Sequence, residues 1–238
     1  MPVIGDVRTR PWAWSGPVQA TVVGFLLLVA WDATGFDIAL ARQWGDAGGF
    51  PWRHDPWLAD VLHDAVKPVP WLSALVLFAL AMHPGYRALQ PSLARRLQWP
   101  VTALVCAAAV GILKSASLTS CPWDLQEFGG AATHLSHWRG WWQSDLGSGR
   151  CFPAGHASNG FVFVAGWFAL RHTHPKAANA VLIGSLLVGA ALGFVQQVRG
   201  AHFMSHTLWT AWICWAVALL MDRLFQRPVG WSIRPKPG

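Results

Sequence analysis

Three short stretches of the sequence hold residues able to do chemistry together. They are Lys114 with Cys121-Pro122 after it, then Pro153-Ala154-Gly155-His156, then Arg199-Gly200-Ala201-His202-Phe203-Met204-Ser205-His206. A lysine, an arginine and a glycine that frees the backbone for close approach suit a phosphate or another oxyanion. Two histidines add reactivity: near neutral pH one imidazole can attack phosphorus while the other protonates the departing oxygen. Taken singly the residues are ordinary, since a helix-end lysine snorkels to the interface and a boundary histidine bonds to the chain. His202 and His206, four apart on one helix face, could also ligate a metal. No carboxylate or cysteine next to them completes such a site, and the cationic company opposes a cation, so neither a metal nor a cofactor is expected.

These stretches fall at the ends of apolar runs, which sets what must position them. Candidate spans centre on 17–35, 69–83, 97–113, 156–170, 178–195 and 207–224. The 238 residues are 53% hydrophobic and only 12% charged, with mean hydropathy +0.33, which excludes a disordered chain and an ordinary soluble domain. The runs are long and do not alternate, so helices are favoured over the strands of a barrel. The reading is an all-α membrane protein, a six-transmembrane-helix bundle with residues 1–238 as one integral-membrane domain. Its second and fourth spans are short for a full crossing. The start of the fourth span offers unsatisfied N–H groups beside Gly155.

Charge placement predicts the topology. With both termini inside, Arg8, Arg10, Arg87, Arg95, Arg96, Arg171, Lys176, Arg223, Arg227, Arg234 and Lys236 lie inside, 11 of the 18 basic residues. Only Asp6 and Asp222 of the 11 acidic residues accompany them. The positive-inside rule then gives N-in/C-in and puts the three reactive stretches on the outer face. The net charge of +7 is accounted for by this loop distribution, and no nucleic-acid partner is expected. Basic residues precede the first run without a small-residue cleavage site after it, as in a retained anchor. Outer connections span 37–67, 114–155 and 199–205. Within the first, 51–70 with Trp52, Trp57, Leu58, Val61 and Leu62 reads as an interfacial helix or a lid. Tryptophans near the predicted ends, among them Trp12, Trp14, Trp71, Trp99 and Trp231, form an aromatic belt. Cys106 and Cys214 fall inside spans as small buried residues. Cys121 and Cys151 share an outer connection and can pair as a disulfide in an oxidising compartment.

Lys114 with Cys121-Pro122, Pro153-Ala154-Gly155-His156 and Gly200-Ala201-His202-Phe203-Met204-Ser205-His206 together resemble the three-part signature of the type 2 phosphatidic acid phosphatase superfamily of membrane lipid phosphatases and phosphotransferases. The resemblance implies that Lys114 binds phosphate with backbone donors at Gly155, that His156 is the general acid and that His202 forms a phosphohistidine. The chain departs from the signature at four positions. Cys121 replaces an arginine, Ala154 a serine, Gln196 a second arginine, and His206 the aspartate that orients the nucleophile. Arg199, one turn before His202, and Arg150, brought near by a Cys121–Cys151 bridge, are the candidate replacements for the arginines. His206 can accept a hydrogen bond from His202 but lacks the carboxylate charge, which Asp124 could supply by folding back.

The resemblance therefore implies a lipid phosphate phosphatase with its active site on the outer face of a bacterial-type inner membrane, with the lipid bilayer and a lipid phosphate substrate as its partners. Two alternatives stand beside it: a lipid phosphotransferase with the same site, and a binder or transporter without turnover. Trp138–Trp142 with His134 and His137 would wall a second substrate in the transferase, or serve as interfacial anchors.

Overall fold

Continuous apolar sequence with few Gly or Pro interruptions dictates helices, and a computed structural model shows them over the described residues 16–59, 68–85 and 92–226. The terminal charges (Asp6, Arg8, Arg10, Arg227, Arg234, Lys236), Arg87, Trp12, Trp14, Trp231 and the interfacial-helix residues 60–67 lie outside the described residues. The helices are α1 (Gly16–Ala33), α2 (Phe36–Ala41), α3 (Val69–Met82), α4 (Leu93–Ala116), α5 (Gly155–Phe161), α6 (Val164–Leu170), α7 (Pro175–Val198) and α8 (Met204–Gln226). Among the described residues four, namely α1, α4, α7 and α8, are long and apolar enough to cross a membrane. At 1.5 Å per residue the 24 residues of α4 or α7 reach about 36 Å, more than the hydrocarbon core.

The six expected spans thus become four such helices and two shorter apolar segments. The second is the 14-residue α3. The fourth is broken into α5 and α6, where Phe163 N bonds Gly160 O at 3.3 Å and Gly166 N bonds Phe163 O at 2.9 Å. These tighter i to i−3 bonds turn the chain at the joint. Apolar side chains face outward all round, with Leu27 66%, Leu75 67%, Ile112 68% and Leu187 66% exposed. Such a surface would aggregate in water and is the normal one in lipid. The chain is a membrane-embedded helical protein.

Small residues set the packing. Gly160 of α5 lies so close to α7 that a Cβ there would clash with the Gly189 backbone, and Ser185 Oγ donates to Gly160 O at 2.8 Å. In lipid, close backbone approach and buried hydrogen bonds replace the hydrophobic drive between helices. The core runs through Cys106 and Val110 of α4, Ala157 and Phe161 of α5, Phe168 of α6 and Cys214 and Ala218 of α8. Helix α1 is held on α8 by indole donors: Trp212 Nε1 to Thr21 O at 2.9 Å and Trp215 Nε1 to Thr21 Oγ1 at 3.0 Å.

At one end of the bundle, segment 117–152 folds over the helices with only single 3-10 turns, such as Pro122–Asp124 and Arg139–Trp141. Buried Asp145 holds it, accepting from Ser120 N at 2.6 Å and Ser120 Oγ at 2.7 Å. Phe50, Leu125, Phe128 and Phe203 pack it onto the bundle.

At the other end, Asp222 of α8 is fully buried and ties three elements. It accepts from Gln98 Nε2 at 2.8 Å, Arg171 Nη2 at 2.7 Å and Gln226 Nε2 at 2.7 Å. Asp222→Ala leaves the Arg171 guanidinium without its carboxylate and is expected to cost about 3–5 kcal/mol. The loss reads as a lower unfolding midpoint in detergent. Adding Arg171→Leu should recover part of it, and an additive loss would show that the pair is not coupled.

Candidate active site

The site lies at the end covered by 117–152, where α4 and α7 finish and α5 and α8 begin. Lys114, in the last turn of α4, extends over the start of α5 and donates from Nζ to Arg150 O at 2.7 Å. Its stem needs the space a glycine leaves, because a Cβ on residue 155 would come within 3.1 Å of Lys114 Cδ. A cavity of about 370 Å³ opens beside it, lined by Lys114, Gly155, His156, Arg199 and His202, together with Cys121, Trp123, Asn159, Gln196 and Ala201. That volume suits a small polar ligand or headgroup.

Arg199 is buried, and its guanidinium is fixed at two points: Nε donates to Arg53 O at 3.2 Å and Nη1 to Gln196 Oε1 at 3.3 Å. Gln196, where the resemblance expects an arginine, therefore holds a different arginine at the cavity. Gly200, at φ +75°, allows the sharp turn between α7 and α8, and its carbonyl accepts from Trp123 N at 3.0 Å. That turn brings His202 to the cavity beside Arg199. His156 is half-buried on the first turn of α5, and Asn159, three residues on, faces the same cavity.

Of the expected site residues, the fold brings Lys114, Gly155, His156, Arg199 and His202 together. It leaves Arg150, His206 and Asp124 off that cavity. Arg150 has an exposed side chain and does not line the cavity, because its φ of +56° and its N–H bond to Ser117 O turn the guanidinium outward. What the bridge delivers to Lys114 is the Arg150 carbonyl. His206 lies behind His202, with ring centroids 5.7 Å apart, on a separate small cavity. Asp124 accepts from Ser148 Oγ at 2.7 Å and does not line the cavity either, so the fold-back to His202 does not occur.

Cys121 and Cys151 are joined in a disulfide. Cys151 is fully buried, and its Sγ lies 3.5 Å from His202 Nδ1. Sequence order could not show this, since the two are 51 residues apart. Cys121, Cys151 and His202 offer donor atoms within 4.8 Å of one another. Bonded to each other, the sulfurs have no thiolate to give a metal, so the donor set fits a cation only when reduced. The double change Cys121→Ser with Cys151→Ser reopens a loop of 30 residues, for about 3–4 kcal/mol of stability on the chain-entropy account. It also frees the backs of Lys114 and His202. The expected result is a lower unfolding midpoint together with slower phosphate release, and an unchanged rate would show that the bridge does not position the site.

Helices embedded in a membrane, closing at one end on a cationic cavity with two histidines, define the class of protein. The family model of the PAP2 superfamily matches residues 97–229, more than half of the chain, and the chain belongs to that superfamily. Its members are generally phosphatases, which supports hydrolysis of phosphate esters in general. No curated protein and no solved structure matches the chain.

Proposed function

We propose that this protein removes phosphate from a membrane lipid through a phosphohistidine on His202. The observation that carries the reading is the single cavity at the end of the long helices that holds Lys114, Arg199, His156 and His202. There a headgroup can enter while its chains stay in the bilayer. Lys114 and Arg199 take the phosphoryl oxygens, with Gly155 leaving room for them. Nδ1 of His202 faces Cys151 Sγ, and the attack is assigned to the other ring nitrogen, Nε2. Its lone pair forms the N–P bond as the P–O bond to the lipid breaks, and protonated His156 gives its proton to the departing oxygen. Neutral His156 then takes a proton from water, the hydroxide attacks phosphorus, and the N–P electrons return to Nε2. Nucleophile and proton both come from the chain itself.

The orientation follows from charge. Arg95, Arg96, Arg171, Lys176 and Arg223 cluster at the bundle end away from the cavity, where Asp222 is the one acidic residue of the described chain. Under the positive-inside rule that end is cytoplasmic, and the site faces the exterior of a bacterial-type inner membrane.

The test is phosphate release from a panel of lipid phosphates by the detergent-purified protein, with acid quenching avoided so that label on histidine survives. Release together with label on His202 supports the reading. Lipid retained without labelling or release would make the protein a binder.

A further inference from the structure

The end of the bundle away from the candidate active site holds another cavity, of about 290 Å³, between α3, the first turns of α4 and the end of α6. Its wall is mostly apolar, from Leu77 and Leu80 of α3, Pro100 of α4 and Leu170 of α6. Arg96 is set into that wall and is only 8% exposed. An arginine at a helix end ordinarily carries its charged head out to water, whereas this guanidinium is held inside, with Nη1 donating to Ala81 O at 2.9 Å.

Two N–H donors of residues on this wall are buried without a hydrogen-bond partner among the described residues: Arg96 Nε and Trp99 Nε1. His83, also on the wall, adds a third donor. Its Nδ1 accepts from Gly85 N at 3.2 Å, so the neutral ring carries its proton on Nε2. No carboxylate among the described residues lines the cavity, and Asp222 is already taken by Gln98, Arg171 and Gln226. Buried donors require acceptors, and a buried guanidinium requires a counter-charge. An anion with several acceptor oxygens meets both needs, and a phosphate also matches the planar fork of an arginine.

The apolar part of the wall says what carries that anion. Leu77 also lines a neighbouring cavity of about 340 Å³, together with Leu72, Ser73 and Val76 of α3 and Phe163 at the joint of α5 and α6. From Leu80 to Leu72 the pair of cavities makes an apolar groove of about 12 Å at 1.5 Å per residue, with the donors at one end. A free phosphate would fill only the donor end, whereas an amphipathic molecule fills the whole groove.

We propose that this groove binds one anionic phospholipid of the leaflet at that end, its phosphate on Arg96, Trp99 and His83 and one acyl chain along α3. Basic pockets between membrane helices take anionic headgroups on the same principle. A zwitterionic headgroup fits less well, because Arg95 adjoins Arg96 and Arg171 adjoins Leu170, and both would repel its ammonium. Helix α3 packs chiefly on α4, so the lipid would supply its second flank. The inference does not depend on which residue attacks phosphorus at the other end.

The test gives the full-length protein in detergent equimolar dioleoyl phosphatidylglycerol and dioleoyl phosphatidylcholine and counts retained lipid by native mass spectrometry. Phosphatidylglycerol is expected at about fivefold or more over phosphatidylcholine. Arg96→Gln, whose amide can still donate to Ala81 O, should abolish that preference. Leu77→Trp blocks the groove with Arg96 unchanged and should lower retention about fivefold. A phosphatidylglycerol with a diazirine on its chain then locates the lipid on the wild type, where label should concentrate on 72–80 and 163–170. That mapping decides the matter if a variant does not fold. Equal retention of the two lipids, unchanged retention in either folded variant, or label concentrated elsewhere overturns the proposal. A lipid-free dimer that Leu77→Trp dissociates also overturns it, because a second copy of the chain would then be the occupant.

Discussion

His202→Ala is expected to reduce phosphate release by roughly 10³-fold or more, about 4 kcal/mol of transition-state stabilisation. The size follows from the cavity's composition. His202 and His156 are the side chains lining it that can act as nitrogen nucleophiles at neutral pH, since the Lys114 ammonium has no lone pair to give and Arg199 is always protonated. His156 sits on a different helix and cannot take the same line of attack while also serving as acid. Alanine leaves the phosphate cradle intact, so lipid should still bind with affinity within a few-fold of the wild type. Label trapped on histidine should vanish with the rate. Retention of more than a tenth of wild-type turnover would mean that water attacks directly and that no phosphohistidine forms.

The next largest effect is expected for His156→Ala, a loss of about 10²–10⁴-fold on a lipid phosphate, because an alkoxide leaves poorly without a proton. The dependence on leaving group is the sharper readout. An aryl phosphate such as the nitrophenyl ester departs as a stable anion, so the variant should lose far less on it, within about tenfold of wild type. Equal losses on both substrates would show that His156 holds phosphate and does not donate a proton. His202→Ala should instead fail on both, and the pair of profiles separates acid from nucleophile without relying on either rate alone.

The sequence held the candidate site residues in plain order. Lys114, Gly155, His156, Arg199 and His202 lie at the ends of apolar runs, and a helix end is where polar residues must gather when the middle is in lipid. That constraint let the gathering of these five at one end be read before any coordinate. It also set which spans would be weak: the short second and fourth runs became the 14-residue α3 and the broken α5 and α6. Arg150 shows the limit. Its neighbour Cys151 fixed its position near Lys114, yet a backbone φ of +56° decided that the carbonyl faces the lysine and the side chain faces solvent. A local dihedral at a loop residue leaves no periodic trace in sequence.

By itself, then, the sequence determined the class of solvent, the helical architecture, the end of the bundle where the candidate site lies and the residue types available there. These follow from composition and from one-dimensional spacing along helices. Only the tertiary structure decided that Gln196 holds Arg199, that Cys151 backs His202, and that Asp32 meets His137. Asp32 and His137 are more than 100 residues apart and meet because α1 packs on α8 through Thr21, Trp212 and Trp215 while 117–152 folds over both. Contacts of that kind depend on how faces of helices and loops fit, a three-dimensional property that no window of sequence contains.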